Sequence, residues 1–407
     1  MSPSSPTSTD GPARAEPQPS AAAGAVVIGG DYQGLGIVRS LGRRGIPVCV
    51  IDDERSISRY SRFATHAVHV PNLRNDDAIV RELLALAQRF SLKGWVLFPT
   101  RDEIVAAISR HRAELTPWFR VPTPCWETIQ WVWDKRSTCE IARKLQLPIP
   151  ETWNPRSPAD LTQITSPFPL AVKPAIKEHF FYTTRAKGWS ASNPSELSTL
   201  FQRAQRIAGT DEILIQDMIP GGGVYQFGYC AFFKNGQALA SMVSRRRRQH
   251  PHDFGRASTF VETVESPEIE ALSTRLLSGI NYYGLVEVEF KEDPRDGQFK
   301  LLDINARTWG YHTLGAAAGV DFPYLLYCDQ LAKPVSAARA KSGCSWIRML
   351  TDFPTAILDI ANGRLSVSEY FRSLRTFNTE AVFSLNDPVP GLMECLLLPY
   401  LIIKRGF

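Results

Sequence analysis

The sequence predicts an α/β unit, then an α+β unit built on antiparallel strands, then a helical extension. Three observations predict this. Residues 25–52 run from an apolar strand through a glycine-rich stretch and a helical period into a second apolar strand, a βαβ opening. Residues 285–307 alternate with period two on either side of a turn sequence, as a β-hairpin does. At 407 residues the chain is also too long for one typical domain, so two or three packed units are expected.

Residues 1–24 are rich in Pro, Ser, Ala and Thr and read as a disordered tail. They carry no basic segment followed by an apolar one, so no signal peptide is expected. From Ala25 the expected elements are a strand to Ile28, a glycine-rich turn from Gly29 to Gly36, a helix Ile37–Arg44 and a strand Val48–Ile51. The turn only approximates G-x-G-x-x-G, a weak sign of a dinucleotide. A helix Asp76–Phe90, a strand Gly94–Phe98 and a helix Glu103–Leu115 complete a small doubly wound unit, whose ligand should lie at the carboxyl ends of its strands. His66 and His69 lie three apart on a strand, point to opposite faces and do not chelate together.

The second unit begins near Trp126. Asp134 suits a helix N-cap before Lys135–Leu145. In the strand Leu170–Lys173 an apolar run is interrupted by Lys173, which either snorkels at a sheet edge or faces an anion. Lys177–Lys187 carries several cations and reads as a mobile segment. Strands follow at Ile213–Asp217, Gln226–Phe233 and Ala238–Ser244. The arginines Arg245–Arg248 come next, at what reads as a strand end. One short cluster without basic-aromatic repeats is no argument for nucleic acid, and planar guanidinium groups serve phosphates as well.

In the hairpin, Val286, Val288 and Phe290 share one face, opposite Leu285, Glu287 and Glu289. On the second strand Lys300, Leu302 and Ile304 oppose Leu301, Asp303, Asn305 and Arg307. The turn, Asp293 to Gly297, contains Pro294, which presets φ, and Gly297, which tolerates positive φ. Pairing brings Glu289 beside Asp303 and Asn305. Facing carboxylates repel unless neutralised, and Mg²⁺ takes carboxylate and amide oxygens while sharing its other positions with phosphates. An ordinary solvated acidic face is the simpler alternative.

Asp134-Lys135, Val172-Lys173-Pro174, Ile215 to Gly222, Glu289-Phe290-Lys291 and Asp303 to Arg307, in that order, together resemble the ATP-grasp superfamily, and its carboxylate–amine ligase-like members most. The resemblance covers roughly residues 25–334. It implies a Rossmann-like pre-ATP-grasp domain at 25–125, a two-subdomain ATP-grasp fold at 126–334, and a C-terminal helical extension at 335–407 outside the resemblance. It implies that Lys135 and Lys173 hold the α- and β-phosphates, joined by Lys187 of the cationic loop. Gln216, Asp217, Met218 and Ile219 would form the hinge that reads adenine. Glu289, Asp303 and Asn305 would bind Mg²⁺ or Mn²⁺, and Arg307 and Arg246 would act on the transferred group. The implied reaction uses ATP to activate a carboxylate as an acyl phosphate for attack by an amine. The chain departs from the family in having Asp303 where many relatives have glutamate, Ala306 for a common proline, and a cationic, aromatic phosphate loop in place of a glycine-rich one.

Alternatives are bicarbonate activation of the biotin-carboxylase type, a non-catalytic nucleotide-binding regulator, and a dehydrogenase resting on the glycine stretch alone. The net charge of +5 and seven scattered cysteines, never spaced C-x-x-C, fit a cytoplasmic protein without a disulfide framework or thiolate zinc site. In the extension, Trp346–Ile360 and Val367–Phe371 read as helices. The apolar Leu392–Ile403 segment, followed by Lys404-Arg405, is too short to span a bilayer. It is either a helix buried on the catalytic unit or one that docks on a membrane surface or partner. A homodimer is also among the expectations.

Overall fold

The computed structural model describes residues 23–405 apart from 253 and 256, and the side chains of residues 403–405 lie outside the description. The expected disordered tail, residues 1–24, therefore falls almost wholly outside the described residues.

The first layer is a five-stranded parallel sheet. It is built from β1 (Ala25–Ile28), α1 (Tyr32–Gly42), β2 (Val48–Asp52), β3 (His66–His69), α2 (Asp76–Arg89), β4 (Trp95–Pro99), α3 (Asp102–Arg110), α4 (Arg112–Leu115) and β5 (Phe119–Arg120). Strand order is β3-β2-β1-β4-β5, so the connections reverse direction between β1 and β4 and leave a crevice at their carboxyl ends. Helix α1 starts inside the glycine-rich stretch, earlier than expected. Only Gly29, with φ +95°, makes the turn. Gly36 sits in the helix because a Cβ there would come within 2.5 Å of His312 Nε2, so it serves close packing.

Helices α5 (Trp126–Trp133) and α6 (Lys135–Lys144) lead into a four-stranded antiparallel sheet. It comprises β6 (Thr152–Trp153), β7 (Leu170–Pro174), β8 (Trp189–Ala191) and β9 (Ile213–Asp217), in the order β6-β9-β7-β8. Between β7 and β8 the segment expected to be mobile is helix α7 (Lys177–Thr184), whose Phe180 is buried against Trp189. Helix α8 (Pro194–Ala208) packs Leu197 and Phe201 onto this sheet.

The large sheet runs β14-β13-β10-β11-β12-β16-β17, with β15 beside β11. Its strands are β10 (Gln226–Lys234), β11 (Gln237–His250), β12 (Ala257–Val264), then after α9 (Pro267–Gly279) β13 (Gly284–Glu292) and β14 (Phe299–Asn305). After α10 (Thr313–Ala317) and α11 (Phe322–Gln330) come β15 (Ala338–Arg339), β16 (Ser345–Ile347), α12 (Met349–Ala361), α13 (Val367–Thr376), β17 (Thr379–Glu380), α14 (Val389–Leu396) and α15 (Leu398–Arg405). The extension is thus not wholly helical. Trp346, expected in a helix, lies in β16, which pairs with β12 and widens the sheet. The apolar segment is two helices, broken where Pro399 follows Leu398.

One apolar core joins all three parts. Val27, Leu35 and Val50 of the first layer, Phe232, Leu285 and Trp309 of the large sheet region, and Trp346, Leu397 and Leu401 of the extension belong to the same buried cluster.

Candidate active site

The hairpin is β13 and β14. Glu289 pairs with Asp303 and Glu287 with Asn305, but the register shifts between Glu289 and Phe290, which pairs with Leu301. This bulge adds one residue, Leu302, and reverses the expected alternation around it. Leu301 therefore joins Val288, Phe290 and Ile304 in the core, while Leu302 lines the cleft.

The expected carboxylate repulsion is offset by side-chain cations. Glu289 is buried, with Oε1 2.8 Å from an Arg246 guanidinium nitrogen and 3.0 Å from Asn305 Nδ2. Its Oε2 accepts from Gln226 Nε2 at 2.8 Å. Burial raises its pKa, but Arg246 and Lys187 outweigh that and hold it at about 2. Glu287, also buried, accepts from Asn305 Nδ2 at 3.0 Å and from the Tyr311 hydroxyl; burial and the Glu289 charge push its pKa up. Asp303 Oδ1 lies 2.5 Å from Lys135 Nζ. Asn305 Oδ1 accepts from Arg307 at 3.0 Å.

A narrow cleft of about 90 Å³ opens from this floor between the small and large sheets. Lys135, at the start of α6 behind the Asp134 cap, and Lys173 on β7 both line it, as do Lys187 and Gln216 to Ile219. Burial depresses the Lys173 pKa to about 8, helped by Lys135, and its Nζ donates to Gln216 Oε1 at 2.7 Å. Lys187 donates to the Gly255 carbonyl at 3.0 Å. Lys291 Nζ fixes the segment after β9 by donating to the carbonyls of Ile219 and Gly221 at 2.8 and 2.5 Å. Asp217 pairs with Arg295 at 2.5 Å and so faces away from any anion role.

On its other side the same floor faces a cavity of about 520 Å³. Its walls are the switch-point crevice with Gly29 and Arg101, helix α7 with Glu178 and Tyr182, and the extension with Arg348 and Leu401. Asp102, first in α3, bridges them, accepting from Arg307 Nε and Lys177 Nζ at 2.6 Å each. Burial raises its pKa, yet those two cations hold it well below the usual carboxylate range. Arg348 pairs with the buried Glu394 of α14 at 2.5 Å and lies 4.2 Å over the Tyr32 ring.

The structure therefore brings Lys135, Lys173, Lys187, Gln216–Ile219, Glu289, Asp303, Asn305, Arg246 and Arg307 around one floor. The four arginines do not stand at a strand end. They lie inside β11, which runs to His250, and point to separate partners. Arg246 turns to Glu289, Arg248 grips Asp352 with two 2.8 Å bonds, Arg247 meets Glu262 at 2.7 Å, and Arg245 donates to the Val224 carbonyl. Asp102, Lys177, Glu178, Glu287 and Arg348 were not singled out from the sequence. Glu287 carried a visible signal, being two residues before Glu289 on the same face. Asp102 carried a weaker one, directly after a strand of the doubly wound sheet.

A family profile described as "ATP-grasp in the biosynthetic pathway with Ter operon" matches residues 231–351, which include both hairpin strands and Arg246. The chain is similar to the ATP-grasp superfamily over this stretch. It is 26% identical over 301 residues to a D-aspartate ligase of Enterococcus faecium (strain Aus0004), covering 69% of this chain and 70% of that protein. The ATP-grasp architecture also superposes on an L-amino acid ligase from Bacillus licheniformis, with TM-score 0.59, 16% identity and coverage of 76% and 74% of the two chains. A similar match is the biotin carboxylase domain dimer of Hydrogenobacter thermophilus 2-oxoglutarate carboxylase in complex with MgADP, with TM-score 0.62, 14% identity and coverage of 79% and 73%.

Proposed function

We propose that this ATP-grasp protein is an ATP-dependent ligase that activates a carboxylate as an acyl phosphate for attack by an amine. The observation that carries this is the shared acidic floor, with a lysine-lined cleft on one side and a larger cavity bearing both charge signs on the other. A phosphoryl donor in the cleft and an acceptor in the cavity then meet at Glu289 and Asp303. The similarity to a D-aspartate ligase supports an amino acid as the class of carboxylate.

Lys135, Lys173 and Lys187 bind the phosphates, and the Gln216–Ile219 backbone borders the base. Arg246 and Arg307 are held by carboxylates before any substrate arrives, Arg246 by Glu289 and Arg307 by Asp102. Donors fixed in this way stabilise charge that develops during transfer without having to reorganise. The donor chemistry at the floor fits Mg²⁺. Among the described residues no three His, Cys, Asp or Glu side chains form a complete metal cage, but Mg²⁺ typically takes one or two carboxylates plus phosphates and waters. Glu289, Asp303 and Asn305 would supply those oxygens, and bound Mg²⁺ would neutralise the phosphate charge. Helix α7 closes over the cavity and excludes water from the acyl phosphate.

Screening ADP release with Mg²⁺-ATP against pooled carboxylic acids and amines tests the reading. Release that requires one acid and one amine is expected. Release supported by bicarbonate alone would replace it with the biotin-carboxylase type of reaction, and no release with any pool would leave a nucleotide-binding regulator.

We further propose a cytoplasmic protein with a peripheral contact through the extension. Among the described residues no helix is long and apolar enough to cross a membrane. Leu397 and Leu401 are buried, whereas Leu392 and Leu396, four apart on α14, are 62% and 64% exposed and form a face for a membrane surface or a second copy.

A further inference from the structure

We propose that Glu178 is the general base that takes a proton from the ammonium form of the incoming amine. This rests on the ligase reading above. An amine at neutral pH arrives mostly protonated and has no lone pair to attack with, so a proton acceptor is needed beside the acyl phosphate.

The carboxylates at the reacting floor and at the start of α3 are committed to partners. Glu289 is bonded to Arg246, Gln226 and Asn305, and Glu287 to Tyr311 and Asn305. Asp303 is bonded to Lys135, Asp102 to Arg307 and Lys177, and Glu103 accepts from the Tyr182 hydroxyl. Glu178 differs. Its side chain is 12% exposed, it lines the large cavity, and its nearest cation is Lys177 Nζ at 3.9 Å. Among the described residues no other side chain is recorded as hydrogen-bonding it, and its own backbone amide donates to its carboxylate. It also borders the small space shared by Lys135, Asp303 and Asn305, next to the reacting floor.

The charges facing it set its basicity. Burial raises its pKa, Lys177 on its own helix lowers it, and Asp102 and Glu103 from α3 raise it again, to a net value of about 7. A base poised near the working pH is both available and strong enough to be effective.

The step balances as follows. The Glu178 carboxylate accepts one proton from R′–NH₃⁺, and the amine lone pair forms the C–N bond at the acyl carbon. The acyl C–O bond to phosphate breaks with its electron pair on the phosphate. The remaining surplus N–H proton leaves with the phosphate as HPO₄²⁻, and Glu178 later returns its proton to solvent.

The test compares amino-acid amines with hydroxylamine, which is largely neutral at pH 7 and needs no base. With individual D- and L-amino acids as carboxylates, wild-type protein and Glu178→Gln are assayed for amide and for hydroxamate. Amide formation in the variant should fall roughly 10²–10⁴-fold. Hydroxamate formation should stay within a few-fold of wild type, and the acidic limb of the amide pH profile near pH 7 should disappear. Equal loss with both nucleophiles would show that Glu178 only supports the lid and would overturn the proposal, as would an unchanged amide rate. If the wild type forms neither amide nor hydroxamate, the ligase reading itself fails, and the base assignment with it.

Discussion

Replacing Asp303 with Asn keeps the size of the side chain and removes its negative charge. In the ground state Asp303 is ion-paired to Lys135 at 2.5 Å, with the two side chains 24% and 21% exposed. A pair that wet contributes about 1 kcal/mol or less. Stability should therefore fall slightly, by about a degree or less in Tm, rather than rise as the relief of facing carboxylates would suggest, because Arg246 and Lys135 already offset that repulsion. Catalysis should suffer far more. Charge stabilisation at the transferring group is strongest in the transition state, and losing one such preorganised group typically costs about 10²–10³-fold in kcat, or ~3–4 kcal/mol. Nucleotide affinity should drop less than kcat, since Lys173, Lys187 and the hinge segment remain. A second effect follows from Lys135. Burial lowers its pKa and Asp303 more than restores it, so without Asp303 the lysine loses its proton at lower pH. ATP binding by the variant should weaken more steeply with rising pH than that of wild type, in which Lys135 keeps its proton. Coupled ADP-release kinetics over a Mg²⁺ titration, with calorimetry for ATP, measure both. Wild-type turnover with unchanged Mg²⁺ dependence would reduce the hairpin to a solvated acidic face.

Four further outcomes are expected. Lys173, depressed to about 8, should regain its proton when phosphates bind, so ATP binding near pH 8.5 should take up protons, and Lys173→Met should abolish that uptake in calorimetry across buffers. In the free protein the same depressed lysine makes the unfolded state the better proton binder between about 8 and its ordinary value, so its contribution to stability rises with pH there. Asp387 is buried and accepts from Arg39 Nε at 2.9 Å, Ser61 Oγ at 2.8 Å and the Arg62 amide at 3.0 Å, so Asp387→Ala should cost about 3–5 kcal/mol in denaturant unfolding by stranding the buried Arg39. Leu392→Gln with Leu396→Gln should leave Tm and turnover unchanged but abolish vesicle binding or self-association, whichever the wild type shows; if it shows neither, the exposed face has no such role.

Much of the site was legible because its signals are local. Period two placed Glu289 opposite Asp303, a polar N-cap marked the start of the helix that carries Lys135, and an interrupted apolar run exposed Lys173. What escaped depends on contacts distant in sequence. The bulge at Leu302 changes which leucine is buried, and no local propensity announces it. Helix α7 forms over a segment that looked mobile because Phe180 is buried against Trp189 and Lys177 is paired with Asp102, 75 residues away. Trp346 read as the start of a helix but lies in the large sheet, where β16 pairs with β12 on one side and β17 on the other. The extension lies outside the resemblance, yet it supplies Arg348 and Leu401 to the cavity wall.

The central claim is that a carboxylate is phosphorylated before the amine attacks, and oxygen transfer tests it most directly. The protein is incubated with Mg²⁺-ATP, an amine and a carboxylic acid labelled with oxygen-18 in its carboxyl group, and the released phosphate is analysed by mass. The account predicts that each turnover moves one labelled oxygen from the acid into phosphate. Amide formed with ADP but with unlabelled phosphate would contradict it.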